Sequence, residues 1–573
     1  GPYRRSKTHS IKAFSHDYCL KSEVKEMLTA KSQNTSRESR IFAQKVARSI
    51  IEVQPNVNNT ADIVVLLECL GYRKETLMEY GFTDFHALAI HIYDFLDMYE
   101  TRGKSKEMFI ESFTMKIPSI QKRLTEGIGM IFPWLGSLAL LFITGISLWM
   151  AWGLPIQITT AFVSGVFLGL IITEGTLQVF NRLFLFYNAQ TNIGEVKRLQ
   201  RRSYYLVGSV LSAVVCTLFV IGYIAEIPLN LISIVAISTV TVSLHRASYM
   251  IIYALKKLMQ LIVAYTLAFA SLLLVYYFGS PMISDNVTRY FAGLVISFTV
   301  LSIFSIFQHY KLLKSNNVIN SGDTPHFYNP ISRTDKTIKS RFGIQLWEVI
   351  SYSIYGTFYL ITMFSDRILS WFYNPLVVRE GFGLPFAFNS VYHAGADLAL
   401  IVLLPASIIQ YVMMEPIHMH MNNISIKIKV SQTDVIRKYI ENMYKKLILV
   451  TLLTSIASAL ILNLSAPYIM SHVEFSQTSM HVLRIASIAN VFMSLFTANS
   501  LFLMLTNKIK SLAIIVVISA SIVITMGVCI ASSGFENLIF AYLTASIFGG
   551  ITSTIYANKV MKHASSIIFS RMI

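Results

Sequence analysis

Charge is scarce in this chain. Only 14% of the 573 residues are Asp, Glu, Lys or Arg, where soluble domains carry about 25%, and hydrophobic residues make up 54%. Such a balance excludes an ordinary soluble domain and points to a membrane protein. Acidic residues are the rarer sign, 31 against 48 basic ones. Cysteine is nearly absent: Cys19, Cys69, Cys216 and Cys529 are scattered without motif spacing, so neither a disulfide framework nor a zinc site is expected. The sequence also lacks a G-x-x-x-x-G-K-[ST] nucleotide loop, a G-x-S-x-G elbow, an H-E-x-x-H pair and paired C-x-x-C motifs. Neither an enzyme nor a bound cofactor is expected. No charged-then-apolar-then-small leader opens the chain, so the first insertion signal is expected near residue 127, and Gly1-Pro2 is set aside as a cleavage scar or fragment edge.

What the chain has is long apolar runs. A membrane-crossing helix needs roughly 20 mostly apolar residues, and twelve stretches qualify: 127–149, 156–180, 204–224, 229–250, 258–278, 288–309, 344–371, 388–413, 444–464, 480–505, 509–531 and 536–556. Twenty-two Lys and Arg lie in the connections after even-numbered spans and four in those after odd-numbered spans. This asymmetry predicts cytoplasmic N- and C-termini in the cytoplasmic (plasma) membrane. It also makes the net charge of +17 a matter of topology, with no nucleic-acid partner expected. The five tryptophans, Trp134, Trp149, Trp152, Trp347 and Trp371, fall near expected span ends and read as an interfacial belt.

Four segments follow: residues 1–125 as a helical soluble extension, 126–310 as a first six-helix bundle, 311–342 as a polar cytoplasmic linker, and 343–573 as a second six-helix bundle. In the extension, Ser36 is expected to cap a helix over 37–53, Thr60 to start one ending near Gly71, and Thr83 to cap one reaching Gly103. Cys69, Leu70, Leu77, Phe82 and the HALAIHIYDFL stretch are its expected core, in an adaptor or regulatory domain. The fold class is thus all-α and polytopic, with twelve transmembrane helices. An equal division by a linker suggests two repeated bundles, although no sequence repeat is visible.

The seventh span, containing FYLITMFSDRILSWFYNP, is the most polar. At about 100° per residue, Glu348, Tyr352, Tyr355, Tyr359, Thr362, Asp366 and Ser370 fall within about 40° of one line. Lipid satisfies none of these groups, so the stripe faces protein or a water-filled cavity. Tyrosines packed against neighbouring helices are one reading; a translocation path with flat rings for sugars and carboxylates for cations is the other. Arg367, about 100° from Asp366, is expected to extend to the outer interface. On the eighth span His393, Asp397, Tyr411 and Glu415 share a second line, with Pro405 a candidate kink, and His393 and Asp397 sit at contact spacing. In the first bundle, Glu174 is a candidate for ion coupling or an interfacial acid, with Arg182, His245 and Arg246 flanking span ends. Gly165 and Gly169 read as close helix packing. The EPIHMHMNN pair His418 and His420 lacks further ligands, so no metal is expected.

Two stretches carry a resemblance. IYGTFYLITMFSDRILSWFYNP and VYHAGADLALIVLLPASIIQYVMMEPIHMHM resemble the seventh and eighth spans of the PelG family of Pel exopolysaccharide exporters, with Glu415 matching a glutamate of that family. The similarity extends through QVFNRLFLFYNAQTNIGEVKRLQRRSYYLVGSV to the last four spans, about 125–570. His393 departs from the pattern, standing where the family has an aspartate, and residues 1–125 have no counterpart. The family lies in the multidrug/oligosaccharidyl-lipid/polysaccharide flippase superfamily. The resemblance therefore implies two bundles rocking about a central cavity, and export of a glycan or lipid-linked glycan alongside a cytosolic glycosyltransferase or synthase, among membrane lipids. The alternatives are an ion-coupled multidrug exporter of the same fold and a non-transporting scaffold for a polysaccharide synthase.

Overall fold

The computed structural model describes residues 39, 41–47, 49–50, 60–72, 74–101, 119–148, 154–189, 193–254, 258–314, 342–374, 377, 384–427, 433–472 and 476–562. The described residues divide into two compact units, those of 1–117 with 419–437 and those of 118–418 with 438–567. Among them the structure is helical, with no strand.

In the smaller unit, α1 (Thr60–Cys69), α2 (Lys74–Glu79) and α3 (Phe85–Thr101) follow helical residues around 41–50. Gly71 and Gly81, both at positive φ, end the first two helices where a side chain would strain. Asp84, one residue beyond the expected Thr83, caps α3 by accepting from the Ala87 amide at 2.7 Å. Val46, Ile50, Ile63, Leu67, Leu77, Leu88 and Ile92 form the buried core. Leu70, an expected member, is exposed, because the chain turns away from the core at the end of α1. The expected Ser36 cap, residues 51–53, Gly103 and the Cys69 side chain lie outside the described residues.

The larger unit holds α4 (Ile120–Thr144), α5 (Ile156–Ala189), α6 (Ile193–Ile224), α7 (Leu229–Ala254), α8 (Leu258–Phe278), α9 (Asn286–Lys314), α10 (Phe342–Phe372), α11 (Ser390–Leu398), α12 (Leu403–Lys427) as far as His418, α13 (Thr433–His472) from Lys438 on, α14 (Gln477–Leu505), α15 (Ile509–Ile530) and α16 (Leu538–Lys562). Among the described residues eleven spans, α11 and α12 together making one, are long and apolar enough to cross a membrane. The exception is α10: at 31 residues it has the length, but its polar stripe dilutes its apolar content. The eighth span is broken by a short 3-10 turn, Ala399–Val402. Pro405 explains the break, since it has no N–H to donate back and its ring crowds the carbonyl four residues earlier.

The packing repeats without any sequence repeat. In the first half α4 packs on α8, α5 on α7, α7 on α9 and α8 on α9. In the second half α10 packs on α15, the α11–α12 span on α14, α14 on α16 and α15 on α16, the same pairs six spans later. Small residues let these pairs approach. A Cβ on Gly165 would stand 2.5 Å from the Val235 carbonyl, and Thr239 Oγ1 donates to the Gly165 carbonyl at 3.2 Å. In α14, Asn490 donates to the Ala399 carbonyl at 2.7 Å and accepts from Tyr542 Oη at 2.7 Å, which satisfies the carbonyl left by the 3-10 turn.

Candidate functional site

The two halves meet chiefly through α5 and α10. Toward the end that carries the basic connections they touch backbone to backbone. Gly175 of α5 lies against Ser353 and Thr357, and Gly356 of α10 lies against Glu174 and Gln178. Nearby, Arg182 stands 5.5 Å from the Tyr352 ring centroid. At the same end Tyr411 Oη donates to Glu126 Oε2 at 2.9 Å, and Arg123 Nη1 donates to the Val412 carbonyl at 2.6 Å, tying α4 to α12. Glu174, the candidate ion-coupling residue, pairs with Arg246 and accepts from Gln178 at 2.8 Å, which places it beside the seam.

Toward the opposite end the halves part around a cleft of about 160 Å³. Its first-half wall comes from α4 and α5, with Leu138, Leu141, Val166 and Leu170. Its second-half wall comes from Phe364 of α10 and from His393, Asp397 and Leu404 of the eighth span. Beyond the cleft, Phe388 N donates to Thr160 Oγ1 at 2.9 Å, joining the halves again. Trp134, expected in an interfacial belt, instead lines the cleft at mid-helix and remains 44% exposed.

A buried ionic network backs this wall. Arg367 does not extend to the interface: its side chain is 1% exposed and curls back between α10 and α11. It donates to Asp366 Oδ1 at 3.2 Å, Asp397 Oδ1 at 2.7 Å, and the Met363 and Ala396 carbonyls, each at 2.8 Å. The expectation failed because adjacent helix positions diverge at Cα, whereas a long guanidinium stem reaches around that angle. Asp366, fully buried, also accepts from Tyr392 Oη at 2.8 Å. Trp371, another residue expected at the interface, is buried and donates Nε1–H to His393 Nε2 at 2.9 Å. An indole N–H only donates, so His393 Nε2 accepts, and the imidazole hydrogen sits on Nδ1, 2.8 Å from Asp397 Oδ2. Phe167 of the first half covers this pair, 5.5 Å from Trp371 and 6.0 Å from His393 between ring centroids. Asp397 is the outlet of the network: its side chain is 43% exposed and borders the cleft.

The residues picked out in the sequence therefore separate into groups. His393 and Asp397 meet at the cleft. Tyr355 and Tyr359 point into the second half, where Tyr359 stacks on Phe496 of α14 at 6.3 Å. Tyr352 sits beside the seam, Tyr411 at the α4–α12 tie, and Asp366 in the buried network. The Glu348 and His420 side chains lie outside the described residues. Among the described residues, no group of three His, Cys, Asp or Glu side chains converges as a metal site would require. Tyr392 and Phe167 were not singled out, and Arg367 was given no place in the site, since Tyr392 meets Asp366 26 residues away, Arg367 meets Asp397 30 residues away and Phe167 meets Phe364 on another helix.

No family's sequence model matches the chain, and no curated protein matches it in sequence. Solved structures do share its fold. A MATE structure in the straight conformation aligns with TM-score 0.53 at 13% identity, covering 78% of this chain and 96% of the other. One in the bent conformation gives 0.51 at 10%, covering 81% and 100%. The MATE transporter ClbM in complex with Rb+ gives 0.52 at 12%, covering 79% and 98%. The chain has the fold of MATE transporters.

Proposed function

We propose that this chain is a multi-pass membrane transporter that moves an amphiphilic passenger bearing a positive charge through the cleft between its halves, by alternating access. The observation that carries this reading is the chemistry of the cleft. Its walls are apolar and aromatic, and its lining contains one carboxylate, Asp397, half exposed on a rigid buried network. Apolar walls favour a passenger with apolar surface. A carboxylate amid ring faces favours a cation. A passenger crosses between the cleft and the basic end once the glycine seam and the α4–α12 tie part, and the MATE fold supports that motion. The count of basic residues supports an orientation with the seam on the cytoplasmic side.

A second reading keeps the resemblance to the Pel exporters. The apolar walls also suit the lipid tail of a lipid-linked glycan, whose synthase would then be a partner. Proteoliposomes loaded with purified protein separate the two, one set given a fluorescent lipophilic cation and another a labelled lipid-linked oligosaccharide. Asp397→Asn keeps the side-chain volume, removes the charge, and turns one of the two oxygens that accept from Arg367 Nε and His393 Nδ1 into a donor. It is expected to lower cation uptake per folded protein about tenfold or more, as for loss of a charge-assisted contact, and also to lower thermal stability, since buried Arg367 loses one of its two carboxylate partners. Unchanged uptake would remove Asp397 from the path, and flux of the oligosaccharide alone would select the second reading.

A further inference from the structure

The long helices α5 and α6 leave room for a site that transport does not use. At 32 residues and about 1.5 Å per residue, α6 is about 48 Å long, well beyond a hydrocarbon core of about 30 Å. Its unbroken apolar part begins near Tyr204, so the turns before it stand at headgroup depth. Tyr205, 71% exposed, marks that level as an interfacial ring. Between this overhang and the end of α5 runs a shallow groove walled by Val179, Phe180, Leu183, Leu199, Leu206 and Arg202. Val179, Phe180 and Leu183 form a buried apolar floor.

Beside the groove α6 carries Lys197, Arg198, Arg201 and Arg202. Like charges four apart on one helix repel, and Arg198 pairs with an acid of its own turn, Glu195, at 2.6 Å. Apolar wall and basic rim therefore occur at the depth where a phospholipid places its acyl chain and its phosphate. On a wheel of about 100° per residue, Arg202 lies about 50° from the line of Leu199 and Leu206, whereas Arg201 lies about 150° from it. The two arginines share a depth and a charge but not a face.

We propose that this groove binds an anionic phospholipid, with an acyl chain against the exposed Leu206 above the floor of Phe180 and Leu183 and the phosphate held by Arg202. The test is native mass spectrometry of the full chain in detergent, titrated with phosphatidylglycerol and with phosphatidylcholine. Phosphatidylglycerol is expected to bind preferentially. R202Q is expected to weaken it about fivefold, one surface arginine's worth of attraction. L206W, which fills the groove without changing charge, is expected to weaken it at least as much, and R201Q to leave it within about twofold. Equal binding of the two lipids, equal losses for R201Q and R202Q, or undiminished binding by L206W would overturn the site.

Discussion

Arg367→Met is expected to cost about 3–5 kcal/mol of stability, the penalty for removing one partner of a buried ion pair. Methionine replaces most of the stem volume, so the loss is electrostatic. Asp366 would stay fully buried with Tyr392 as its remaining hydrogen-bond donor from this network, and the Met363 and Ala396 carbonyls would lose a donor. A second substitution tests that origin. Asp366→Asn with Arg367→Met removes both charges, and the pair is expected to cost clearly less than the sum of the single changes. Thermal unfolding of the purified variants in detergent measures both. An arginine reaching solvent would cost under about 1 kcal/mol, so a loss that small, or strict additivity, would contradict the network.

Gly175→Leu is expected to abolish transport, with at least a tenfold loss of uptake, while both halves remain folded. A Cβ on Gly175 would stand 2.5 Å from Ser353 Oγ, 2.6 Å from Thr357 Oγ1 and 3.1 Å from the Ser353 carbonyl. Hydroxyls rotate away from such a contact, but a helix carbonyl does not. From the other side, a Cβ on Gly356 would stand 2.7 Å from Gln178 Cγ and 3.1 Å from Glu174 Cγ. A leucine here wedges α5 from α10, at about 1–3 kcal/mol for overpacking. Because the wedge lies between the halves, their internal packing is kept, and the expected outcome is a protein fixed open at its basic end. Gly208→Leu on α6 is the control, since a Cβ there meets nothing within 4 Å. Normal uptake by Gly175→Leu, or equal losses in both variants, would remove the seam from the mechanism.

The spans were legible because hydrophobic length is a one-dimensional property: α8, expected over 258–278, runs Leu258–Phe278. The paired halves were suggested by the equal division of spans, yet the repeated packing is visible only in three dimensions, since apolar helices pack alike with unlike sequences. Helical spacing correctly placed His393 against Asp397, a contact local to one helix. The same spacing put the tyrosines on one face of α10 but said nothing of what that face meets. The structure packs Tyr355 and Tyr359 against Phe496 and puts Phe364 on the cleft. Arg367 was misread because an angle between Cα positions does not constrain a guanidinium four bonds away. The tie between Glu126 and Tyr411 joins residues 285 apart and leaves no trace in either local sequence.

The central claim is that the seam between α5 and α10 opens and closes while the cleft exchanges its passenger. Spin labels at Phe186→Cys and Trp347→Cys measure it directly, since both positions are exposed and lie near the basic ends of these helices. Native cysteines, including exposed Cys216 and Cys529, would first be replaced by serine. In liposomes, electron–electron double resonance is expected to give two separations, with the longer one gaining population when a transported cation is added. A single separation that stays unchanged while the same protein transports would contradict the account.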